Sequence, residues 1–163
     1  MEVNSMCHHS EVEPFDRQIA GHLCKTRRRP VSGVFYRRKT TGHVLKPLYV
    51  STLWKNEVTF YKRIVHEQGL QFIRSMNLVP NFYGITTVKF GNASQEYIEL
   101  EDVTLDFNQP CIMDVKVLGS QWDPVAASED IDRWSRKHPV AFKLLFSIQG
   151  IRVRLADIDT PAD

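Results

Sequence analysis

The sequence contains few cysteines and none of the short motifs that mark several large enzyme classes. Its three cysteines, Cys7, Cys24 and Cys111, lack the paired spacing that is typical of zinc sites. The patterns Gly-x-Ser-x-Gly, His-Glu-x-x-His, Gly-x-Gly-x-x-Gly and the Walker loop are all missing. These absences argue against a serine hydrolase, a zinc protease and a P-loop nucleotide-binding protein.

Long hydrophobic runs are also missing, since no stretch approaches the roughly 20 apolar residues that span a bilayer. The N-terminus has no signal-peptide pattern, and the cysteine count is odd. We therefore expect a protein without a membrane span, located in the reducing environment of the nucleus, the cytoplasm or both.

The overall composition is that of ordinary globular protein, with 163 residues, of which 25% are charged and 42% are hydrophobic. A net charge of +2 gives no reason to expect a nucleic-acid partner. The basic run "KTRRRP" (25–30) is interpreted as a solvated loop, and a nuclear-import signal or an anion-binding patch is the alternative.

The order of apolar and turn-forming segments predicts an α+β protein rather than regular βαβ units. Residues 1–14 are polar and irregular, which predicts a flexible N-terminal tail. The remaining segments predict a hairpin (31–38 and 42–50), a helix (54–67), a short helical piece (70–76), a second hairpin (82–90 and 95–103), a strand (111–117), a helix that ends before Pro139, and a strand pair or bent strand (144–155).

Four ionisable residues stand where an apolar core would accept them only with a partner. Lys46 interrupts the apolar strand "HVLKPL", and Glu57 lies on the helix that follows. A strand lysine beside a helical glutamate is the arrangement by which kinases hold a lysine against nucleotide phosphates. The alternative is a solvated Lys46 on an edge strand. Asp114 and Lys116 share one face of "CIMDVKV", which we predict to be a buried strand.

The segment "PCIMDVK" (110–116) resembles the PxxxDxKxG signature of the inositol polyphosphate kinase family. Further similar segments follow the family order, and together they cover residues 15–155. These segments are "RQIAGH" (17–22), "GHVLKPL" (42–48), "NEVTFY" (56–61), "VPNFYGI" (79–85), "IELEDVTLDFNQPCIMDVKV" (98–117), "DPVAASEDI" (123–131) and "IQGIRV" (148–153). The similarity is greatest to the multikinase branch of the family. It predicts a kinase domain over 15–155 and a short C-terminal tail over 156–163.

The resemblance implies an ATP-dependent kinase that phosphorylates a hydroxyl of an inositol phosphate. Its N-lobe would be like that of a protein kinase, an antiparallel sheet with a helix. Lys46 would contact the ATP phosphates, and Glu57 would orient Lys46. Glu101 and Val103 would form the hinge that binds adenine through backbone groups, and Asp114 would bind the ribose hydroxyls.

The same resemblance assigns the inositol phosphate to three cations. Lys116 would point toward the phosphoryl groups as the catalytic residue, and it would also bind the substrate. Lys137 and Arg152 match positions that bind inositol phosphates. Several cations around one small ligand suit a substrate with many phosphates.

The chain departs from the family pattern in ways that favour a second interpretation. Leu118 replaces the last glycine of the signature, and Asp130 stands where the multikinase branch has a lysine. The segment whose aspartate holds Mg²⁺ in the family has no counterpart, so no residue is assigned to a metal. We therefore expect a truncated form whose C-lobe is largely missing. The alternative is a catalytically inactive module that binds inositol phosphate or nucleotide, or acts as a scaffold. The lobe surface left uncovered by the missing C-lobe would favour self-association.

Overall fold

The computed structural model describes residues 4–20, 33–48, 52–117 and 128–154. The chain divides into two compact units. That residues 15–155 form one kinase domain stays a prediction. The first unit comprises Met1–Gln18 and His22–Asn108, and the second comprises Ile19–Gly21 and Gln109–Asp163. Each unit has its own β-sheet.

The first unit is built on a six-stranded sheet. Its strands are β1 (Asn4–His8), β2 (Val12–Pro14), β3 (Tyr36–Arg38), β4 (Val44–Pro47), β5 (Phe82–Phe90) and β6 (Ala93–Leu100). They lie in the order β1-β5-β6-β4-β3-β2. Only β1 and β5 are parallel among these neighbours. Both predicted hairpins are therefore present, as β3–β4 and β5–β6.

Two helices accompany this sheet, α1 (Thr52–His66) and α2 (Gln71–Ser75). Both were predicted, α1 from its apolar spacing, and Val58 and Ile64 of α1 are buried as that spacing requires. In the part of the chain that the structure describes, no helix is long and apolar enough to cross a membrane. The predicted α+β class is confirmed, and the first unit is compatible with a kinase-like N-lobe.

The N-terminal segment differs from the irregular tail that its polar composition predicted. Residues 4–8 pair with β5 along their whole length, and residues 12–14 pair with β3. Cys7 and Val12 are buried. Local composition could not reveal these strands, because their stabilising partners lie far along the chain.

The sheet of the first unit has a hydrophobic cluster on each face. Register separates the two, because Leu45 pairs with Glu99 while Lys46 pairs with Ile98, and neighbouring side chains point to opposite faces. One cluster comprises Cys7, Val12, Tyr36, Leu45, Val88 and Tyr97. The other comprises Leu48, Val58, Ile98 and Leu100, with Tyr61, Phe82 and Ile85 packed against it. Since Val58 belongs to α1, Lys46 lies on the helix side of the sheet.

A buried carboxylate lies on the opposite face and was not singled out from the sequence. Glu99 is 7% exposed. It accepts hydrogen bonds from Arg38 Nε at 3.0 Å and from the Arg38 terminal nitrogen at 2.7 Å, and Thr86 also donates to it. His43 Nδ1 lies 2.8 Å from the same carboxylate. Burial alone would raise the pKa of Glu99, but these partners offset burial and hold the pKa below its ordinary value.

The Glu99 network should carry measurable stability. We expect Glu99→Gln to lower the free energy of unfolding by about 3 kcal/mol, because it leaves the Arg38 charge buried without its anionic partner. Because the pKa of Glu99 is lowered in the folded state, this contribution should be present above about pH 4.5 and be lost as the pH falls through the folded value. Urea unfolding at several pH values measures both effects.

The matched control is Glu13→Gln, which breaks the ion pair between Glu13 and Arg37. Those side chains are 40% and 34% exposed, so the loss should be below about 1 kcal/mol. Equal losses for the two variants would show that the buried network contributes no more to the free energy of unfolding than an exposed ion pair does.

The second unit contains a two-stranded antiparallel ribbon and two helices. The strands are β7 (Ile112–Val117) and β8 (Phe146–Arg152), and the helices are α3 (Ser128–Lys137) and α4 (Pro139–Leu144). The pairing shifts by one residue between Asp114 and Val115, which leaves Gln149 of β8 without an opposite residue. The predicted bent strand near Gly150 is thus confirmed. Helix α3 ends at Lys137, before Pro139 as predicted, and Pro139 begins α4, where a proline is well tolerated.

The prediction that 111–117 is a buried strand is wrong. Five of the six residues of β7 are exposed, including Asp114 and Lys116. A ribbon of only two strands is narrow, so side chains on both faces keep access to water. The two charges therefore do not need a partner to compensate for burial, and their assigned roles rest on the family resemblance.

Candidate functional site

Lys46 and Glu57 form an ion pair on the helix side of the first sheet. Lys46 Nζ lies 2.6 Å from Glu57 Oε1. Strand β4 lies between β6 and β3, so the alternative of a solvated Lys46 on an edge strand is wrong. The two side chains remain 37% and 30% exposed. The lysine is therefore held in place and still accessible to a ligand.

The packing of α1 explains why this pair forms. Val58, the residue after Glu57, is buried in the cluster under the helix and fixes the helix against the sheet. Register points Lys46 toward the same side. Tyr61 lies one helical turn after Glu57 and stacks on Phe82, with ring centroids 5.6 Å apart. Burial, with a smaller contribution from the Glu57 charge, raises the pKa of Tyr61 to about 12.

The predicted hinge follows β6, and hydrogen bonds between Glu101 and Asn81 hold it in place. Glu101 Oε2 accepts hydrogen bonds from the backbone nitrogen of Asn81 at 2.9 Å and from its side-chain nitrogen at 2.8 Å. The Glu101 backbone nitrogen donates to the Asn81 carbonyl at 2.9 Å. Val103 is 60% exposed. The Glu101 side chain thus anchors the hinge, and backbone groups remain the candidates for contact with a base.

A second anchor of the hinge was missed by the sequence reasoning. Asp102 is buried, and its Oδ1 accepts hydrogen bonds from the backbone nitrogen and hydroxyl of Thr104. Arg17 donates to the carbonyl and the hydroxyl of Thr104. An aspartate two residues before a threonine is a local turn signal that could have been found in "EDVT".

In the second unit, strand register brings three predicted residues to one face of the ribbon. Asp114 pairs with Gly150, and Ile112 pairs with Arg152. Opposite residues of an antiparallel pair share a face, so Asp114, Lys116 and Arg152 lie on the same face of the ribbon. We call this surface the charged face. The shared face of Asp114 and Lys116 was expected from spacing, whereas the position of Arg152 follows only from the register.

The other face of the ribbon is apolar and open to solvent. Each of its residues is at least 41% exposed, and they are Met113, Val115, Val117, Phe146, Ile148 and Ile151. An exposed apolar surface of this kind often marks an interaction site. Self-association through it stays a prediction.

Lys137 lies at the end of α3 and lines an open cavity of about 430 Å³. Ser147 also lines this cavity, and Ser147 is the residue opposite Lys116. The cavity and the charged face therefore share Ser147. Lysine ammonium groups bind phosphate as point charges, so the exposed Lys116 and Lys137 can attract a phosphorylated ligand from the two surfaces that meet at Ser147.

Several sequence expectations lie outside the residues that can be described. The run "KTRRRP" and Leu118 are among them, as are the C-terminal tail and the side chain of Asp130. Within the described ranges, no three His, Cys, Asp or Glu residues lie close enough together to hold a metal ion.

The titration of Tyr61 reports on the charge of its neighbour. We expect the Tyr61 phenol to ionise near pH 12 in the folded protein. Its contribution to stability should be fully present below about pH 10 and be lost as the pH rises to about 12. Ultraviolet absorbance of the phenolate, taken as the difference between wild type and Tyr61→Phe, measures this step.

In Glu57→Gln the pKa of Tyr61 should fall but stay above its ordinary value, because burial is the larger cause. A Tyr61 midpoint near 10 in the wild type would contradict the packing described for α1.

Comparison with known proteins supports the family resemblance. Residues 97–160 match the family model described as inositol polyphosphate kinase. The chain is 32% identical over 142 residues to the inositol polyphosphate multikinase of Homo sapiens. The aligned region covers 86% of this chain and 33% of the human protein. The multikinases of Mus musculus and Rattus norvegicus are 31% and 30% identical over the same length, with 34% of each covered. The chain spans about a third of the length of the curated relatives it matches.

The matched region of the family model contains the hinge and the charged face. Glu101, Val103, Asp114, Lys116, Lys137 and Arg152 all lie within residues 97–160. The resemblance expected from "PCIMDVK" is confirmed, since the chain is similar to inositol polyphosphate kinases over these residues.

Proposed function

We propose that this protein is a phosphotransferase that uses ATP to phosphorylate a hydroxyl group of an inositol phosphate. The observation that carries the proposal is the 2.6 Å ion pair between Lys46 and Glu57 in a chain similar to inositol polyphosphate multikinases. Phosphoryl transfer requires positioning and positive charge rather than a covalent nucleophile. The residues of both units supply groups of those two kinds.

The first unit would serve the nucleotide. Glu57 holds the Lys46 ammonium, which reduces the entropy lost when Lys46 contacts phosphate oxygens. Backbone groups at Glu101 and Val103 would bind adenine, and the Glu101–Asn81 hydrogen bonds keep that segment in place. When bound, ATP supplies the phosphoryl group.

The second unit would serve the inositol phosphate and the nucleotide sugar. Lys116, Lys137 and Arg152 supply three positive charges, and Lys116 is proposed as the catalytic cation. Asp114 is the carboxylate of the charged face, and carboxylate oxygens accept hydrogen bonds from hydroxyl groups. It is therefore proposed to bind the ribose hydroxyls.

Mg²⁺ is the usual partner of ATP in kinases, where it neutralises charge on the β- and γ-phosphates. The described residues do not fit a metal site of three or more protein ligands. We propose Mg²⁺ as a companion of ATP and derive no step through it.

The reaction is tested with radiolabelled ATP, inositol trisphosphate and Mg²⁺. We expect label to move to the inositol phosphate, and we expect Lys46→Met to lower the rate by about 100-fold, as the loss of a charge-stabilising group does in other enzymes. Lys89→Met is the matched control, because Lys89 is an exposed lysine of the same unit with no assigned role. Its rate should equal that of the wild type.

Two outcomes of this assay contradict the proposal in different ways. If the wild type transfers no label but binds both ligands, the protein is the inactive binding module that the departures at Leu118 and Asp130 favour. If Lys46→Met and Lys89→Met transfer label equally well, the role assigned to the ion pair is wrong.

Calorimetric titration with inositol hexakisphosphate tests the charged face. Lys116→Ala should weaken binding by about tenfold or more, because a hydrogen bond between charged groups contributes about 1.5–3 kcal/mol. Lys143→Ala removes an exposed lysine of α4 in the same unit and should leave the affinity unchanged. Unchanged binding by Lys116→Ala would mean that the ligand binds elsewhere.

A further inference from the structure

Gly150 is a residue of β8 that has no room for a side chain. A Cβ atom at this position would lie 2.3 Å from the carbonyl oxygen of Ile19 and 3.0 Å from its carbonyl carbon. These are backbone atoms, which cannot turn aside as a flexible side chain can. Gly150 is not among the glycines with positive φ. The position therefore requires glycine for space and not for backbone conformation.

The direction of this contact places residues 19–20 on the charged face. Gly150 pairs with Asp114, and a side chain at 150 would point to the same face as Asp114. Side chains directly opposite in such a pair have Cβ atoms about 4.5–5.5 Å apart. The backbone of Ile19 therefore crosses the charged face beside Asp114.

Burial shows which half of the face this segment covers. On β8, Ser147, Gly150 and Arg152 are half-buried, whereas on β7 Asp114 and Lys116 are exposed and Ile112, opposite Arg152, is half-buried. On the apolar face, by contrast, the residues of both strands are exposed. The residues of β8 are thus partly shielded from solvent on the charged face only, and this is the face that Ile19 contacts.

We propose that Ile19–Ala20 forms a fixed wall of the ligand site on the charged face, and that Gly150 is the positioning residue that makes room for it. The inference rests on the proposed function and deepens it. A ligand with several phosphates would contact Lys116 along the open β7 half and would meet the wall at the β8 half. The wall would limit the size and orientation of ligands that the charged face accepts.

The first test compares Gly150→Ala with Gly69→Ala in the full chain. A Cβ at Gly69 would have nothing within 4 Å, and Gly69 has no positive φ, so alanine is tolerated there. Hydrogen exchange of the peptide that contains Ile19–Ala20 is measured by mass spectrometry, with and without inositol hexakisphosphate. Calorimetric titration with the same compound gives the affinity.

We expect the ligand to slow exchange at Ile19–Ala20 in the wild type. In Gly150→Ala, exchange there should rise by about tenfold without ligand, because the segment is displaced from the ribbon. The affinity should fall by about tenfold. Gly69→Ala should match the wild type in both measurements. If Gly150→Ala behaves like Gly69→Ala, the wall is overturned.

A second pair of variants avoids dependence on the folding of Gly150→Ala. Ile19→Glu and Ile19→Gln have nearly the same shape and differ in one negative charge. If Ile19 borders a phosphorylated ligand, Ile19→Glu should bind inositol hexakisphosphate at least about fivefold more weakly than Ile19→Gln, and added salt should reduce the difference. Equal affinities of the two variants would contradict the proposed wall, whether or not Gly150→Ala folds.

Failure of the wall and failure of the proposed function give different results. If the wild type binds neither ATP nor inositol hexakisphosphate, the proposed function is wrong and a ligand wall is excluded with it. If the wild type binds inositol hexakisphosphate normally but exchange at Ile19–Ala20 does not change, only the wall is wrong.

Discussion

The alternation of side chains along paired strands decides where the charged groups of this protein lie. Leu45 and Lys46 are neighbours in β4, yet one lies in a hydrophobic cluster and the other reaches Glu57 on the helix side. The same rule separates the ribbon into a charged face and an apolar face. A shift of one residue in either register would exchange these faces. The functional proposal therefore depends on register as much as on residue identity.

The first unit contains two kinds of ion pair, which differ in their exposure. The Arg38–Glu99 pair is 13% and 9% exposed and is surrounded by hydrogen-bond partners. It is inaccessible to a ligand, so its role is to hold the sheet. The Lys46–Glu57 pair is about one-third exposed. Because an ammonium has three donors, the exposed Lys46 can contact a phosphate while Glu57 still holds it, which suits a binding site.

The second unit shows how a thin element can still present an ordered surface. Two strands alone are marginally stable and cannot bury either face. Backbone of Ile19–Ala20 lies against Gly150, where any larger residue would collide with a carbonyl. This contact joins a segment from near the N-terminus to the ribbon, although neither sequence stretch shows it. It also covers part of the charged face beside Gly150, while the apolar face is open.

The sequence by itself determined the elements with strong local signals. The helix α1 follows from apolar spacing, the β5–β6 hairpin from its turn, and the resemblance to inositol polyphosphate kinases from "PCIMDVK", since each signal lies within a few residues. Only the tertiary structure decided what depends on distant partners. It pairs residues 4–8 with β5, buries Glu99 beside Arg38, exposes β7 and brings Arg152 to the face of Asp114. Burial and register depend on which segments pack together, and a local pattern contains no record of that packing.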